Sequence, residues 1–356
     1  MPFDRTWPSG SARSSSACRP RTISRRCIAW LTFARSSPVA DASRPRVVLL
    51  AGGVGGAKLA HGLQTHLAYR LTVIVNTGDD LERHGLLVCP DHDTVMYTLA
   101  GIDSRELGWG IEGETFAAAE MLARYGEETW FRLGDRDLAS HIVRTRGLAA
   151  GLRLTEVLLG MQQAMGLPVR ILPMTDDPVR TEVRTDDGWL DFQTYFVRLH
   201  QAPDVRELRY RGIDDARVTP EVLDALGRAG VIVIGPSNPF LSIAPILGVP
   251  GMREAVSAAR ARGTPVAAVS GIVGGRAIKG PADRILGSLG HEVSAMGVAR
   301  YYADLVDLFV VDSVDAALEP EIRSLGLEVL VTDTIMADDA ARARVAASVL
   351  ESMASR

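Results

Sequence analysis

Cysteines and long apolar runs are both scarce in this sequence of 356 residues. Its three cysteines, at positions 18, 27 and 89, are too few and too scattered for a disulfide framework or a paired-cysteine metal site, which favours a reducing, cytoplasmic location. No stretch approaches the roughly 18 consecutive apolar residues of a membrane-spanning helix, so we expect no membrane partner. With 47% hydrophobic and 23% charged residues, the composition excludes a fibrous or largely disordered chain.

Several catalytic signatures are missing as well. The seven histidines form no zinc-ligand spacing, and no serine stands in a G-x-S-x-G nucleophile elbow. These absences exclude a zinc hydrolase and covalent acyl transfer through such a serine from the predicted functions.

The first 44 residues differ from the rest in charge. They hold eight arginines, no lysine and two aspartates, a net charge of +6, which leaves −10 on the remaining chain out of a total of −4. Because the segment is rich in serine and proline and has no helical or strand period, we predict a disordered basic extension over residues 1–46. A twin-arginine export signal at Arg25 and Arg26 and a nucleic-acid-binding arm are the alternatives. Arg35 shortens the apolar stretch of the first, and sparse aromatics weaken the second, so we expect no nucleic-acid partner.

Short apolar runs alternate with helical patterns from residue 47 onward. This alternation predicts an α/β domain over residues 47–356, with a three-layer, Rossmann-like, mostly parallel sheet covered by helices on both faces. We expect ligands outside the carboxyl ends of its strands, and a helical insertion over about residues 104–165. The predicted strands are residues 47–51, 71–75, 169–172, 231–234, 266–269, 308–311 and 328–331.

A glycine-rich turn, AGGVGGAK at residues 51–58, joins the first predicted strand to a helix. Gly52, Gly53, Gly55 and Gly56 let a phosphate approach the backbone at the positive end of that helix, and Lys58 adds a cation. The turn is neither a Walker A loop nor a G-x-G-x-x-G loop, because no Ser or Thr follows Lys58 and this lysine replaces the third glycine. We predict a phosphate or nucleotide site, with a plain strand-to-helix turn as the alternative.

Paired acidic residues occur in three further motifs: NTGDD at residues 76–80, PDHDT at 90–94 and LPMTDD at 172–177. Adjacent carboxylates at a strand end suit Mg²⁺, which takes one or two protein oxygens and fills its other positions from a nucleotide. Turn formation or helix capping is the alternative for each pair, and we expect one of Asp91 and Asp93 to cap its helix.

Two more loops have the composition of ligand-binding segments. GPSNP at residues 235–239 follows a predicted strand and offers the side chains of Ser237 and Asn238 to a polar ring or a phosphate. A glycine-rich stretch at residues 270–275 follows the next strand, so both loops are expected to reach one cleft. Charged and aromatic residues around Gly134 predict a third ligand-facing loop.

In this order, the motifs AGGVGGAK, NTGDD, PDHDT, LGDRD, LPMTDD and GPSNP closely resemble the 2-phospho-L-lactate transferase family of coenzyme F420 biosynthesis, over about residues 47–336. SAMGVA at residues 294–299 and TDT at 332–334 fit the same pattern. The resemblance implies an enzyme that transfers a phospholactyl, phosphoenolpyruvyl or phosphoglyceryl group from a guanosine diphospho-acid to the ribityl hydroxyl of the deazaflavin Fo and releases GMP. It also implies a homodimer.

By the same resemblance, the contacts with Fo fall on Asp93 and Arg132. His92 stands where family members carry leucine, which leaves the assignment of Asp93 intact and changes the packing beside it. Mg²⁺, the N–H groups of the glycine turn and Lys58 are expected to neutralise the bridging phosphates. We hypothesise that Asp80 and Asp176 approach the metal.

Two other functions compete with this interpretation. The nucleotide-sugar-binding regulators of the same fold are ligand sensors, but they carry Gly-Pro-Gly-Ser-Leu where this sequence has GPSNP, and they lack LGDRD. A dinucleotide-dependent oxidoreductase is disfavoured because the third glycine of its loop is missing.

Overall fold

The computed structural model describes residues 45–106 and 108–354. The predicted basic extension, apart from Pro45 and Arg46, lies outside these residues. Among the described residues, no helix combines the length and the apolar character that crossing a bilayer requires.

The described residues form fourteen strands, seven of which make a single parallel sheet. A three-stranded antiparallel sheet and two short hairpins account for the others. The strands are β1 (Val47–Ala51), β2 (Leu71–Val75), β3 (Leu81–Arg83), β4 (Leu86–Val88), β5 (Arg170–Pro173), β6 (Arg180–Thr185), β7 (Gly188–Asp191), β8 (Glu207–Arg211), β9 (Val231–Ile234), β10 (Val266–Val269), β11 (Ile272–Val273), β12 (Arg276–Ala277), β13 (Leu308–Asp312) and β14 (Glu328–Thr332).

Twelve α-helices occur in the same described ranges, most of them between strands of the parallel sheet. They are α1 (Gly53–Leu67), α2 (Pro90–Ala100), α3 (Ala117–Arg124), α4 (Asp135–Ala149), α5 (Leu154–Ala164), α6 (Pro220–Gly227), α7 (Ala244–Gly248), α8 (Met252–Ala261), α9 (Ala282–Ser288), α10 (Ala295–Tyr302), α11 (Glu319–Ser324) and α12 (Asp339–Ala354).

The parallel sheet has the strand order β14-β13-β10-β9-β1-β2-β5, and its members are the seven predicted strands, with ends that differ by at most one residue. In its middle, Leu50 of β1 is in register with Ile74 of β2 and Ile234 of β9. The chain first extends the sheet from β1 through β2 to β5 and then returns to the other side at β9. Such a reversal opens a crevice outside the carboxyl ends of the two central strands.

The core lies on both faces of this sheet. In β1, Val48 and Leu50 belong to one buried cluster, which includes residues of α6, α8 and α10, whereas Val47, Leu49 and Ala51 belong to another, which includes residues of α1, α2, α5 and α12. Successive side chains of a strand point to opposite faces, so a strand covered on both sides is apolar throughout. The predicted three-layer α/β architecture is therefore confirmed.

The antiparallel sheet, in the order β7-β6-β8, is an element that the sequence did not predict. Buried and outward-facing residues alternate along β6, where Thr181, Val183 and Thr185 point inward and Glu182 and Arg184 outward. This alternation is typical of a strand with one solvated face. In the region of the predicted insertion, α3, α4 and α5 follow one another between α2 and β5.

Candidate active site

A cavity of about 570 Å³ lies where the carboxyl ends of β10, β9, β1 and β2 meet. These strands are neighbours in the sheet, and the loop after each contributes to the lining. Gly52 follows β1, Asp79 follows β2, Pro236 follows β9 and Gly271 follows β10. The predicted meeting of the polar loops in one cleft is thus observed, at the reversal of strand order between β1 and β9.

A serine joins the two central loops across this reversal. Ser237 Oγ accepts a hydrogen bond from Gly52 N (3.1 Å) and donates one to the Gly52 carbonyl (2.8 Å). Asn238 Oδ1 accepts from the backbone N–H groups of Phe240 and Leu241 (2.9 and 3.1 Å), whereas its buried Nδ2 has no partner within the described part of the chain. The amide of Asn238 therefore retains a donor for a ligand, and Ser237 mainly fixes the glycine turn.

The glycine turn is packed too closely for side chains at most of its positions. A Cβ on Gly52 would lie 2.5 Å from Asp91 Oδ2, and one on Gly55 would lie 2.2 Å from the Pro236 carbonyl oxygen. Gly53 has φ +61°, in the left-handed region that favours glycine. Gly52, Gly53 and Gly55 line the cavity as predicted, whereas Gly56 packs against Ala51 and Ser237 instead.

Two carboxylates lie beside this turn, and together with it they form what we call the glycine wall (Gly52, Gly53, Gly55, Asp79 and Asp91). Asp91 Oδ1 accepts from Gly53 N (2.7 Å) and Oδ2 from Asn76 Nδ2 (3.0 Å). Asp91 therefore caps α1, rather than its own helix α2 as we expected for one acid of that motif. Burial raises the pKa of Asp91 to about 6.

Asp79 is the second carboxylate of the glycine wall. It is buried, and its Oδ1 has no hydrogen-bond partner within the described residues. Burial, followed by the charge of Asp91, raises the pKa of Asp79 well above its usual range. In the described ranges, no arginine, lysine or histidine forms an ion pair with either acid. Two buried carboxylates without a cation, beside a helix start that suits phosphate, fit a divalent cation with oxygen ligands.

The two predicted metal ligands do not line this cavity. Asp176 Oδ1 accepts from the backbone N–H and the hydroxyl of Thr155 (both 2.7 Å), and Arg153 pairs with its Oδ2 at 3.2 Å, so Asp176 caps the start of α5. Asp80 is buried beside Cys89, and burial raises the pKa of Asp80 to about 7. The carboxylates that lie beside the glycine turn and line the cavity are instead Asp79 and Asp91.

A buried arginine lies behind another part of the cavity lining, in contact with Asp93. Arg144, on α4, is fully buried, and it donates hydrogen bonds to the carboxylate of Asp93, to His141 Nδ1 (3.1 Å) and to the Leu87 carbonyl (3.0 Å). We call this part of the lining the arginine wall (Asp93, Asp137 and His141, backed by Arg144). Burial alone would favour the neutral acid, but the Arg144 guanidinium lowers the pKa of Asp93 to about 2.

The remaining members of the arginine wall are held in a fixed arrangement. Because a guanidinium only donates, His141 Nδ1 accepts and the proton of the neutral ring is on Nε2, which lies 3.4 Å from Asp137 Oδ2. Tyr97 donates to Asp137 Oδ1 at 2.7 Å. Ligand atoms of Asp93, Asp137 and His141 lie within 4.8 Å of one another. Arg144 already supplies the positive charge that a metal ion would bring there.

His92, the departure from the family pattern, is fully buried behind Asp93. Its Nδ1 lies 3.9 Å from Asp93 Oδ1, and its Nε2 lies 3.3 Å from Gln162 Nε2. Burial lowers the pKa of His92, so the ring is neutral at physiological pH. Asp93 thus lines the cavity with the neutral ring of His92 next to it.

Aromatic side chains line the same cavity as the residues of the two walls. The guanidinium of Arg132 lies 3.9 Å from the ring centre of Phe116, and Arg132 lines the same cavity as Asp93. The two residues assigned to Fo by resemblance are therefore brought together. A largely apolar, aromatic lining with a few polar groups suits a fused ring system. The aromatic lining residues are Tyr97, Trp109, Trp130, Phe131, Phe192 and Phe196.

The charged segment after Gly134, which we predict as part of a ligand-facing loop, is the start of helix α4, and no separate role was predicted for its buried residues. Asp137, His141 and Arg144 stand at i, i+4 and i+7 of α4, so they form one polar stripe on one face of the helix. That spacing is visible in the sequence, but only the fold shows that the stripe is buried against Asp93. The predicted phosphate residue Lys58 lines a second, smaller cavity, which shares Gly55 and Pro236 with the first.

A glycine-rich helix start and an acidic pair at the switch point of a parallel sheet are typical of α/β proteins that bind phosphate-bearing ligands. The family model described as 2-phospho-L-lactate transferase CofD matches residues 47–348, and the chain belongs to this transferase family.

Relatives with assigned names agree with this membership. The chain is 45% identical over 313 residues to a phosphoenolpyruvate transferase of Streptomyces griseus, a match that covers 86% of the chain and 98% of the relative. It is 41% identical over 291 residues to a 2-phospho-L-lactate transferase of Methanosarcina mazei, with 82% and 94% covered. A solved structure of a UPF0052 family member from Bacillus halodurans shares the fold, with a TM-score of 0.55 and 15% identity over 86% of the chain and 99% of that structure.

Proposed function

We propose that this protein transfers a phospho-acid group from a guanosine diphospho-acid to the ribityl hydroxyl of the deazaflavin Fo, with release of GMP, in coenzyme F420 biosynthesis. The observation that carries this proposal is the cavity itself, which combines a phosphate-type helix start with an aromatic surface and the pair Asp93 and Arg132. The names of the relatives support a phospho-acid as the transferred group.

On the acceptor side, we infer that Asp93 orients the ribityl chain. Because the pKa of Asp93 is lowered by Arg144, the carboxylate is charged at physiological pH and accepts hydrogen bonds from hydroxyl groups. Arg132 and the aromatic lining hold the ring system beside it. A fixed ribityl hydroxyl then faces the phosphorus that bears the acid, and alignment is the main contribution of a protein to phosphoryl transfer.

On the donor side, the glycine wall binds the diphosphate. The N–H groups in the first turn of α1 face the bridging oxygens, and Asn238 Nδ2 offers a further donor. Asp79 and Asp91 are the residues that would hold Mg²⁺, in place of the predicted pair Asp80 and Asp176. When bound, Mg²⁺ neutralises phosphate charge that develops as the bond to GMP breaks.

The direct test incubates the full chain with Fo, Mg²⁺ and each of the three guanosine diphospho-acids, and follows GMP by chromatography and the deazaflavin product by mass. We expect GMP and product in equal amounts with one donor, which identifies the acid. Release of GMP without Fo, or no product from any donor, contradicts the proposal. In the second case, binding of a nucleotide sugar without turnover would support the regulator. A homodimer, implied by the family resemblance, and a cytoplasmic location, predicted from the few scattered cysteines, belong to the proposal as predictions.

A further inference from the structure

The chain contains only two lysines, Lys58 and Lys279, among 39 basic residues of the lysine and arginine type. Although they are 221 positions apart in the sequence, both line the same small cavity of about 80 Å³. We call this cavity the lysine pocket, defined by Lys58, Lys279, Gly55, Ser270 and Thr334. In a chain that uses arginine almost everywhere else, two lysines at one place indicate a need for a compact charge.

The lysine pocket adjoins the main cavity. Gly55, Pro236 and Gly271 line both, and so does Lys279, so the start of α1 separates two compartments of one cleft. Lys58 lies in the second turn of α1, and Lys279 follows the β11–β12 hairpin. The two lysines therefore reach the lysine pocket from different elements.

Neither lysine has an acidic partner that would account for this placement. Among ion pairs and hydrogen bonds between described residues, none involves Lys58 Nζ or Lys279 Nζ. Burial, followed by the charges of Lys279 and Arg342, lowers the pKa of Lys58. Positive charge thus accumulates at one side of the glycine turn, and an anion placed there would relieve the repulsion.

The other polar groups of the lysine pocket are already engaged. Ser270 Oγ donates to the Ile272 carbonyl (2.7 Å), and Thr334 Oγ1 donates to Asp312 Oδ2 (2.8 Å). These hydrogen bonds fix the side chains of Ser270 and Thr334 in the lining of the lysine pocket. The donors left for a ligand are the two ammonium groups and N–H groups in the first turn of α1, where Gly53 N already bonds to Asp91.

We propose that Lys58 and Lys279 form a binding subsite for the diphosphate of a nucleoside diphosphate, with Lys279 as a donor-binding residue that reaches in from the β11–β12 hairpin. The place of this subsite in a reaction rests on the proposed transferase function, but the binding of the diphosphate does not. Lysine suits the 80 Å³ pocket because an ammonium is a point charge with three donors, whereas a guanidinium is a wide planar fork.

The test measures the affinities of GDP and GMP for the full chain by isothermal titration calorimetry without Mg²⁺, in the wild type, Lys279→Met and Lys58→Met. The matched control is Arg276→Met, which removes an exposed cation from the same hairpin but lines neither cavity. We expect each lysine variant to weaken GDP binding roughly tenfold or more, the usual effect of losing a charge-assisted contact. GMP should lose less, because it has one phosphate fewer.

Lys279→Arg keeps the charge and tests the need for a compact group; we expect it to recover only part of the GDP affinity. An unchanged ratio of GDP to GMP affinity in both Met variants, an equal loss in Arg276→Met, or a wild type that binds neither nucleotide would overturn the subsite. The transferase assay gives a separate answer. Lysine-dependent GDP binding without turnover contradicts only the proposed function, and turnover with unchanged GDP binding in both Met variants contradicts only the subsite.

Discussion

Asp93 on the arginine wall and Asp91 on the glycine wall lie two residues apart in the first turn of α2, but their charges are balanced differently. Asp93 contacts a fully buried arginine, and the Arg144 charge lowers its pKa to about 2. Asp91 contacts a backbone N–H and an amide, and burial raises its pKa to about 6. The arginine wall thus carries its own counter-charge, whereas the glycine wall leaves its charges without one.

This difference indicates how the two walls work. A carboxylate already paired with a guanidinium is fixed before any ligand arrives, which suits the orientation of a neutral acceptor. Carboxylates and lysines without partners are completed only by a metal ion and by phosphates. The arginine wall therefore contributes to the stability of the free protein, and the glycine wall contributes mainly to binding.

The largest expected effect is the loss of stability in Arg144→Leu. This change leaves Asp93 buried without its cation, which costs about 3–5 kcal/mol of unfolding free energy in buried pairs. Denaturant unfolding measures it, and Arg146→Leu, an exposed arginine on the same helix, is the control, with an effect within about 0.5 kcal/mol. Equal effects of the two variants would mean that Arg144 does not compensate Asp93. Removing both charges, in Arg144→Leu with Asp93→Leu, should recover part of the loss.

Next in size is the loss of turnover in Asp79→Asn. Removing one carboxylate of the glycine wall takes away charge that positions the metal and the phosphates, so we expect kcat to fall roughly 100-fold or more. The dependence of the rate on Mg²⁺ concentration should shift to higher concentrations. The adjacent Asp80→Asn is the comparison, because Asp80 does not line the cavity. A larger shift in Asp80→Asn than in Asp79→Asn would restore the metal ligand predicted from the sequence.

A smaller effect is expected from Arg132→Leu, which alters the acceptor side without touching the glycine wall. Loss of the cation beside the aromatic lining should raise the KM for Fo about tenfold, with little change in the KM for the donor. Arg136→Leu, in the first turn of α4 and outside the cavity lining, is the control. Equal changes in both KM values would place Arg132 outside the acceptor site.

The last prediction concerns the pH dependence of stability. Burial raises the pKa of Asp80 to about 7, so the folded protein binds this proton more tightly than the unfolded chain. The stabilisation from this group is complete below about pH 4 and is lost as the pH rises toward 7, with a slope of at most about 1.4 kcal/mol per pH unit. Asp80→Asn should flatten that decline, and the exposed Asp187→Asn should not. If the unfolding free energy declined with pH in the same way in the wild type and in both variants, the assignment of this decline to Asp80 would be contradicted.

The seven strands of the parallel sheet were predictable because both of their faces are covered, which makes each strand a continuous apolar run. The antiparallel strands were not predicted, because β6 alternates inward residues such as Val183 with charged ones such as Arg184. Such a pattern, next to acidic turns, is hard to separate from a polar loop by composition alone.

In the site, backbone chemistry was more predictable than side-chain direction. The glycine-rich sequence predicts that a ligand can approach the backbone closely at Gly52, Gly53 and Gly55, and all three line the cavity. Two adjacent acids do not reveal which of them faces a ligand, and of Asp79 and Asp80 it is Asp79 that lines the cavity. The burial of Arg144 depends on its contacts with Asp93 of α2 and Leu87 of β4, which are tertiary contacts with no local signature in the sequence.

The most direct test of the division between the walls is one set of titrations, of Fo and of GDP with Mg²⁺, on the wild type, Asp79→Asn and Asp93→Asn. We predict that each variant weakens one ligand only. Asp79→Asn loses affinity for GDP with Mg²⁺ and keeps its affinity for Fo, whereas Asp93→Asn loses affinity for Fo and keeps its affinity for GDP with Mg²⁺. A single variant that weakens both ligands equally, or two variants that weaken neither, would contradict it.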